Sequence, residues 1–345
     1  MRTILALSLV LAISLPDPAA AQASRGDFPL RFSSERLINP ADAGVGDPIS
    51  TALMPDGGLV IADIANQQVV RLDGAGELVW KLGRAGGGPG EFTTVYRVAA
   101  GRDGGVLVYD ASTREVTFIS PEGRYLERRR FPFTFNVVDN LVALPSGDIA
   151  VSGFTSFGGV ASRHAVHIFS PQMEHIRSFG PLPDVGDPQV LRWWGAGGLS
   201  LDENGDLLYA RRLPYEIYRF TSDGRLRGVI RPPFPIRDRP DDAYEARAGG
   251  GRVGVQLPDA PVTRPLRAIP VGGGWVLSGR LRGSERILDL FDAAGQLAGS
   301  QTPPSNWTSV VAIDHARGVA WLSGEVQFEP VYYLVRLVVG EGVPH

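Results

Sequence analysis

"KLGRAGGGPGEF", Lys81 to Phe92, crowds five glycines into twelve residues and ends on an acid and an aromatic ring. A phosphate-cradling loop would follow a strand and open a helix, so that helical N–H groups point at the anion. Here the chain runs on into "TTVYRVAAGRDGGVLVYD" (Thr93–Asp110), where β-branched and aromatic residues are broken by Asp-Gly-Gly. That reads as two strands and a tight turn. The glycine-rich stretch is therefore a joint between strands, not a nucleotide site.

The turn recurs. "DGGLVIAD" (Asp56–Asp63), "DGGVLVYD" (Asp103–Asp110), "SGDIAVSG" (Ser146–Gly153), "NGDLLYAR" (Asn204–Arg211), "GGGWVLSG" (Gly272–Gly279) and "RGVAWLSG" (Arg317–Gly324) all carry glycine second. Glycine reaches the positive φ of such turns at no steric cost. A further strand follows each copy, from "QQVVRLD" in the first to "YYLVRLV" in the last. Five of these lead into a second turn such as "GAGEL" or "SDGRL". With one strand before and one after, each unit is a four-stranded antiparallel meander.

Laid flat, six such units would leave two long open edges; radial closure removes most of that liability. The last unit ends after its third strand near Leu337, and "RFSSERLI" (Arg31–Ile38) stands ahead of the first unit as the missing fourth. The expected fold is all-β: a six-bladed β-propeller of four-stranded antiparallel blades over residues 24–345, its last blade closed by the N-terminal strand.

Over roughly residues 49 to 130 the sequence also resembles an NHL-type repeat. The resemblance lies in "KLGRAGGGPGEFTTVYRVAAGRDGGVLVYDASTREVTFISPEGRYL", with its G-x-G-P-G-E-F joint, D-G turn, terminal aspartate and later turn glycine. It implies a six-bladed propeller of the bacterial exported kind. It implies little about activity, because such propellers include scaffolds, receptors, lyases and lactonases.

Residues 1–23 read as a signal peptide. Arg2 gives a minimal positive start, Ile4 to Leu15 is too short to anchor in a bilayer, and Ala19-Ala20-Ala21-Gln22-Ala23 offers cleavage after Ala21 or Ala23. The chain has no cysteine, so neither a lipid-modified cysteine nor a disulfide can form. A periplasmic or secreted monomer without a membrane anchor is expected. Net charge is −3, which gives no global attraction for nucleic acid; Lys81 is the single lysine among many arginines.

In this topology the joints between blades and the turns between second and third strands share one face. The long segments fall there: the joints at 181–195 and 232–266 and the turns at 154–163 and 280–285. One-sided insertion marks a binding face. "DDAYEARA" in the longest joint could form one or two helical turns as a lid, or belong to a plain surface loop. Counting back from the turn glycines puts Ser50, Arg97, Asn140, Gly198, Leu266 and Val311 at the channel-side start of the inner strands. Counting forward brings Arg211, Arg212, Arg280, Arg282 and Glu325 to the same face, with Arg163, Arg192 and Trp193 in the neighbouring loops. Arginine forks bind carboxylate or phosphate and tryptophan offers a flat apolar platform. The bland alternative is solvated loop charge and a tryptophan packed beneath a joint. Asp63 and Asp110 are expected to bind turn amides.

No three of the five histidines share a register position, no G-x-S-x-G elbow occurs, and a cysteine nucleophile is impossible. The expectation is a non-catalytic binding propeller without cofactor or metal, for an anionic small molecule or peptide. A propeller lyase or lactone hydrolase is the alternative. A protein-interaction scaffold partnering an envelope protein is the second alternative.

Overall fold

The computed structural model describes residues 28–157, 160–161, 163–182, 196–211, 215–233, 264–282, 285–327 and 329–339. The chain begins with β1 (Leu30–Ile38). Blade one follows as β2 (Pro48–Leu53), β3 (Leu59–Asp63), β4 (Gln68–Leu72) and β5 (Leu78–Leu82). Blade two is β6 (Val95–Ala100), β7 (Val106–Asp110), β8 (Glu115–Ile119) and β9 (Tyr125–Arg130). Blade three is β10 (Phe135–Ala143), β11 (Ile149–Phe157), β13 (His164–Phe169) and β14 (His175–Pro181), with a short β12 (Val160–Ala161) on β11. Blade four is β15 (Gly197–Leu201), β16 (Leu207–Arg211), β17 (Glu216–Phe220) and β18 (Leu226–Ile230). Blade five is β19 (Arg264–Gly272), β20 (Trp275–Arg282), β21 (Glu285–Phe291) and β22 (Leu297–Gln301). Blade six is β23 (Trp307–Asp314), β24 (Val319–Val326) and β25 (Glu329–Val339), completed by β1.

The closing strand pairs antiparallel with β25, from Leu30 opposite Val339 to Ile38 opposite Tyr332. The six blades stand in a ring, and a separate apolar cluster fills each interface between neighbours. The cluster that joins the chain ends sets Ile38, Val45 and Ile61 against Val311, Trp321 and Tyr332. There Trp321 Nε1 donates to the Gly57 carbonyl at 2.9 Å, so the indole buries its ring without leaving its N–H unpaired. Second strands are covered on both faces: Leu59–Asp63 and Val106–Asp110 are buried throughout, whereas outer strands such as Leu78–Leu82 are largely exposed.

The turn glycines take the backbone their position requires, with φ of 87° at Gly57 and 84° at Gly104. In the joint that opened the sequence analysis, Phe92 is buried completely between blades one and two. A Cβ on Gly83 would come within 2.8 Å of that ring, which is why the chain is bare there. Glu91 accepts from the Gly88 N–H at 2.8 Å, and Arg128 reaches from β9 to the carbonyls of Gly88 (3.2 Å) and Glu91 (2.5 Å). The glycine-rich joint is a bolted structural part.

Two expectations of register need correction. The first turn of blade five is a two-residue hairpin, Gly272 opposite Trp275, while in blade six it is lengthened by a 3₁₀ turn at His315–Arg317. Counting from the glycine therefore fails in both blades. The residues level with Ser50, Arg97, Asn140 and Gly198 are Ala268, opposite Ser278, and Ser309, opposite Ser323, instead of Leu266 and Val311. The segment expected as a long turn at 154–163 is partly a hairpin, because β11 continues to Phe157 and pairs with β12. Most of the joints at 181–195 and 232–266, including "DDAYEARA", lie outside the described residues.

Candidate functional site

The inner strands begin at the joint face, and their backbones surround a cavity of about 210 Å³ on the ring axis. Its walls are mainly apolar, with Leu53, Val98, Leu199, Ile269 and Ile313, and Asn140 contributes a polar side chain. Six residues stand level with one another on the inner strands: Ser50, Arg97, Asn140, Gly198, Ala268 and Ser309. Of these six only Arg97 is charged. Its Nε donates to the Asp139 carbonyl at 2.6 Å and its Nη1 to the Tyr96 carbonyl at 3.1 Å, while the guanidinium lies 3.8 Å from the centre of the Tyr96 ring. Two carbonyls and an aromatic face thus fix the half-buried side chain in one rotamer, and Nη2 has no partner among the described residues. Asp139 in turn accepts from the Ala196 N–H at 2.5 Å, tying blade three to the start of blade four.

The ends of the second strands behave differently from blade to blade. Asp63 accepts from the N–H groups of Gly46 (3.0 Å), Asp47 (2.9 Å) and Ala65 (3.1 Å) and from Gln68 Nε2 (2.8 Å). Burial pushes the Asp63 carboxyl up, but the Asp47 and Gly46 amides with Gln68 and Asn66 outweigh it and hold the group below the usual carboxylate range. Asp110 likewise takes the amides of Thr93 (2.7 Å), Thr94 (3.0 Å), Ser112 (2.9 Å) and Thr113 (3.0 Å). Both aspartates bind turn amides, locking a joint to a turn.

Arg211 and Arg280 depart from the expectation that both stand on one face to bind an anionic ligand. Arg211 Nη1 lies 3.1 Å from Glu216, directly opposite it on β17, and Glu216 also accepts from Tyr218 (2.5 Å) and Arg231 (2.8 Å). Burial raises the Glu216 carboxyl, but hydrogen bonds from Tyr218, Arg231 and Arg211 prevail and keep it ionised below its ordinary range. Arg280 is buried inside blade five, where Nε and Nη2 grip both oxygens of the fully buried Asp289. Asp289 also accepts from Ser300 Oγ at 2.6 Å. These two arginines are held by carboxylates within their own blades. A further ligand would have to compete with those pairs.

Arg163 is exposed just before β13, and Glu325 is exposed on β24, its N–H bonded to the Asn306 carbonyl at 3.0 Å. The backbone of Arg282 pairs with that of Glu285. Arg192, Trp193, Arg212 and the side chain of Arg282 lie outside the described residues. Of the expected residues Asn140 lines the channel cavity, Arg97 stands level with it on the neighbouring inner strand, and Arg211 and Arg280 sit in ion pairs within their own blades. The Tyr96 platform beneath Arg97 was missed; an aromatic next to an arginine at a strand start was the available signal. Among the described residues no group of three His, Asp or Glu side chains is arranged to hold a metal. Among them, too, no helix is long and apolar enough to cross a membrane.

Ring, blades and axial channel define the class: an all-β, six-bladed propeller. No family model and no curated protein sequence matches the chain, so an NHL-type family is not shown. Solved structures match across nearly its whole length. A Bacteroides fragilis protein inferred to be exported superposes with a TM-score of 0.65 at 13% identity, covering 92% of this chain and 98% of its own. A gluconolactonase from Xanthomonas campestris gives 0.53 at 16% identity, with 91% and 99% covered. Virginiamycin B lyase from Staphylococcus aureus gives 0.52 at 10% identity, with 88% and 99% covered. At these identities the likeness is one of fold.

Proposed function

We propose that this chain is an exported, non-catalytic binding propeller that takes an anionic ligand, a carboxylated sugar or a peptide terminus, at the joint-face mouth of its channel. The observation that carries this reading is Arg97. It is the one charge among the six level positions of the inner strands, it is held rigid on Tyr96 and two carbonyls, and among the described residues it retains an unfilled donor, with its neighbour Val98 and the level residue Asn140 lining the cavity. A guanidinium fixed before the ligand arrives loses little side-chain entropy on binding. Partial burial reduces screening, so one carboxylate contact is worth more there than at an open surface. Asn140, level with Arg97 and lining the cavity, supplies hydrogen-bonding groups for hydroxyls or amides. Export is supported by the signal-like residues 1–23 and agrees with the exported fold neighbour.

Calorimetric titration with glucuronate and with an acetylated dipeptide bearing a free carboxylate tests the reading, with glucose as the neutral control. The expected result is saturable binding of at least one acid without turnover. Arg97→Gln should weaken it about tenfold, the equivalent of one well-placed charged hydrogen bond. Equal binding by Arg97→Gln and the parent protein would remove Arg97 from the site. Conversion of a lactone or a streptogramin by the purified protein, above its heat-denatured control, would favour the catalytic alternative.

A further inference from the structure

A second opening on the joint face lies between blades five and six. It holds about 450 Å³ of empty space, counting its mouth in solvent, with about 30 Å³ in which the centre of a water molecule can sit. Its walls are Ile269 and Leu288 of blade five and Trp307 and Val310 of blade six, with Pro303 of the joint above.

Its existence has a local cause. Between blades one and two the joint inserts Phe92, and between blades two and three it inserts Phe131. The joint from blade five is the short, polar "TPPSN" (Thr302–Asn306), which brings no large apolar side chain. The second strand also carries glycine, Gly279, at the level where those of blades one and two carry Asp63 and Asp110. Gly153 and Gly324, at the same level in blades three and six, are dictated by sterics: a Cβ would meet the Val137 carbonyl at 2.3 Å or the Asn306 carbonyl at 2.5 Å. Gly279 differs. Its φ lies outside the left-handed region, and the nearest atom to a Cβ would be Leu288 Cδ2 at 3.9 Å. Neither backbone nor packing requires glycine at 279, yet its missing side chain is what leaves the cleft open.

Cavities lined by apolar side chains cost stability unless something fills them. Among the described residues the only charged side chains at this cleft are arginines. Arg280 is engaged by Asp289, whereas Arg286 is exposed at the rim and makes no ion pair among the described residues. We infer that the cleft between blades five and six is a binding site for a compact, branched aliphatic monocarboxylate, its alkyl end between Leu288 and Trp307 and its carboxylate on Arg286. The narrow interior suits a branched alkyl group better than a fused ring, and the single rim cation selects an acid over its amide. This site is separate from the one built on Arg97.

Isovalerate is the probe and isovaleramide the uncharged control, followed by NMR of isoleucine, leucine and valine methyl groups in the full-length mature protein. Isovalerate should bind with a millimolar Kd, as few ligand atoms are buried, and should give intermolecular NOEs to Ile269, Leu288 and Val310. Gly279→Leu should abolish that binding, and Gly279→Ala, which fits the space without a clash, should weaken it while leaving the fold intact. Arg286→Gln should reduce isovalerate affinity three- to fivefold and leave isovaleramide unchanged. Arg97→Gln should have no effect, which separates this site from the channel mouth. The inference is overturned by non-saturating shifts, by NOEs elsewhere, by undiminished binding to Gly279→Ala and Gly279→Leu, or by amide and acid binding equally.

Discussion

Arg280→Ala should destabilise this propeller by about 3 to 5 kcal/mol, the cost of removing one partner from a buried ion pair. The Arg280 side chain is 7% exposed and that of Asp289 0%, so solvent screens the pair little. Asp289 would keep Ser300 Oγ at 2.6 Å, with the buried Tyr215 beside it, and would lose two charged donors. Thermal unfolding converts the loss to a temperature. At about 2.1 cal/mol/K per residue, a ring of roughly 320 residues unfolds with an entropy near 0.7 kcal/mol/K, so about 4 kcal/mol lowers Tm by about 6 °C. Scanning calorimetry and urea unfolding of the same variant give both quantities. The exposed pair Arg124–Glu122 serves as reference: Arg124→Ala should cost under about 1 kcal/mol. Replacing both buried partners, Arg280→Met with Asp289→Leu, should recover most of the loss, because no uncompensated charge remains. A single variant that unfolds with the parent, or a double variant worse than the single, would refute a buried, mutually dependent pair.

His167 should make the protein acid-sensitive. Burial above all, with His175 and His164 nearby, lowers its pKa to about 4 against 6.5, so the native state holds a neutral ring. Stability is full above about pH 6.5 and falls as acid protonates the unfolded chain first, by about 3 kcal/mol on reaching pH 4; His167→Gln should flatten that limb in pH-dependent urea titrations. Deleting residues 28–39 removes β1 and bares the edge of β25, and aggregation or a large loss of melting temperature should follow; a soluble truncation with unchanged melting would contradict the closure. Phe92→Ala should cost about 3 to 5 kcal/mol in chemical denaturation, since the ring is fully buried between two blades. Mass spectrometry of protein recovered from the cell envelope should show a start at Gln22 or Ser24; an intact Met1 would contradict export.

The repeat was legible because its signal is local. A turn glycine fixes a positive φ wherever it sits, and the two ends of Asp63–Leu59-type strands are set by the next turn, so blade count, strand order and the closing strand could all be read. Register at the channel was less legible, since it depends on the length of one hairpin. The third glycine of "GGGWVLSG" shortens the turn in blade five, and the helical turn before Gly318 lengthens it in blade six; each moves the aligned residue by two. The arginine partners were half legible. Glu216 is directly opposite Arg211, with four residues between them, and could be counted. Asp289 lies diagonal to Arg280, whose direct neighbour is Ile287, and a diagonal pair depends on twist that a sequence does not print. Arg97 shows the same limit: its register was readable, but the carbonyl of Asp139 that holds it belongs to the next blade.

The pairing of β1 with β25 also sets a schedule for folding. The first strand of the ring waits for the last, and their meeting closes a loop of about 300 residues, which costs about 2 kcal/mol more in chain entropy than closing a hairpin-linked blade of about 35. If the chain crosses a membrane N-terminus first, β1 emerges early and stays unpartnered through the whole passage. An idle strand is a template for wrong pairings, and "RFSSER" (Arg31–Arg36) is composed against that hazard, with two arginines, a glutamate and two serines in six residues. Of the apolar residues of β1, Leu30, Phe32 and Ile38 become buried only in the finished ring, and Leu37 stays exposed. The clasp of this molecule is a segment built to be inert until its single correct neighbour arrives.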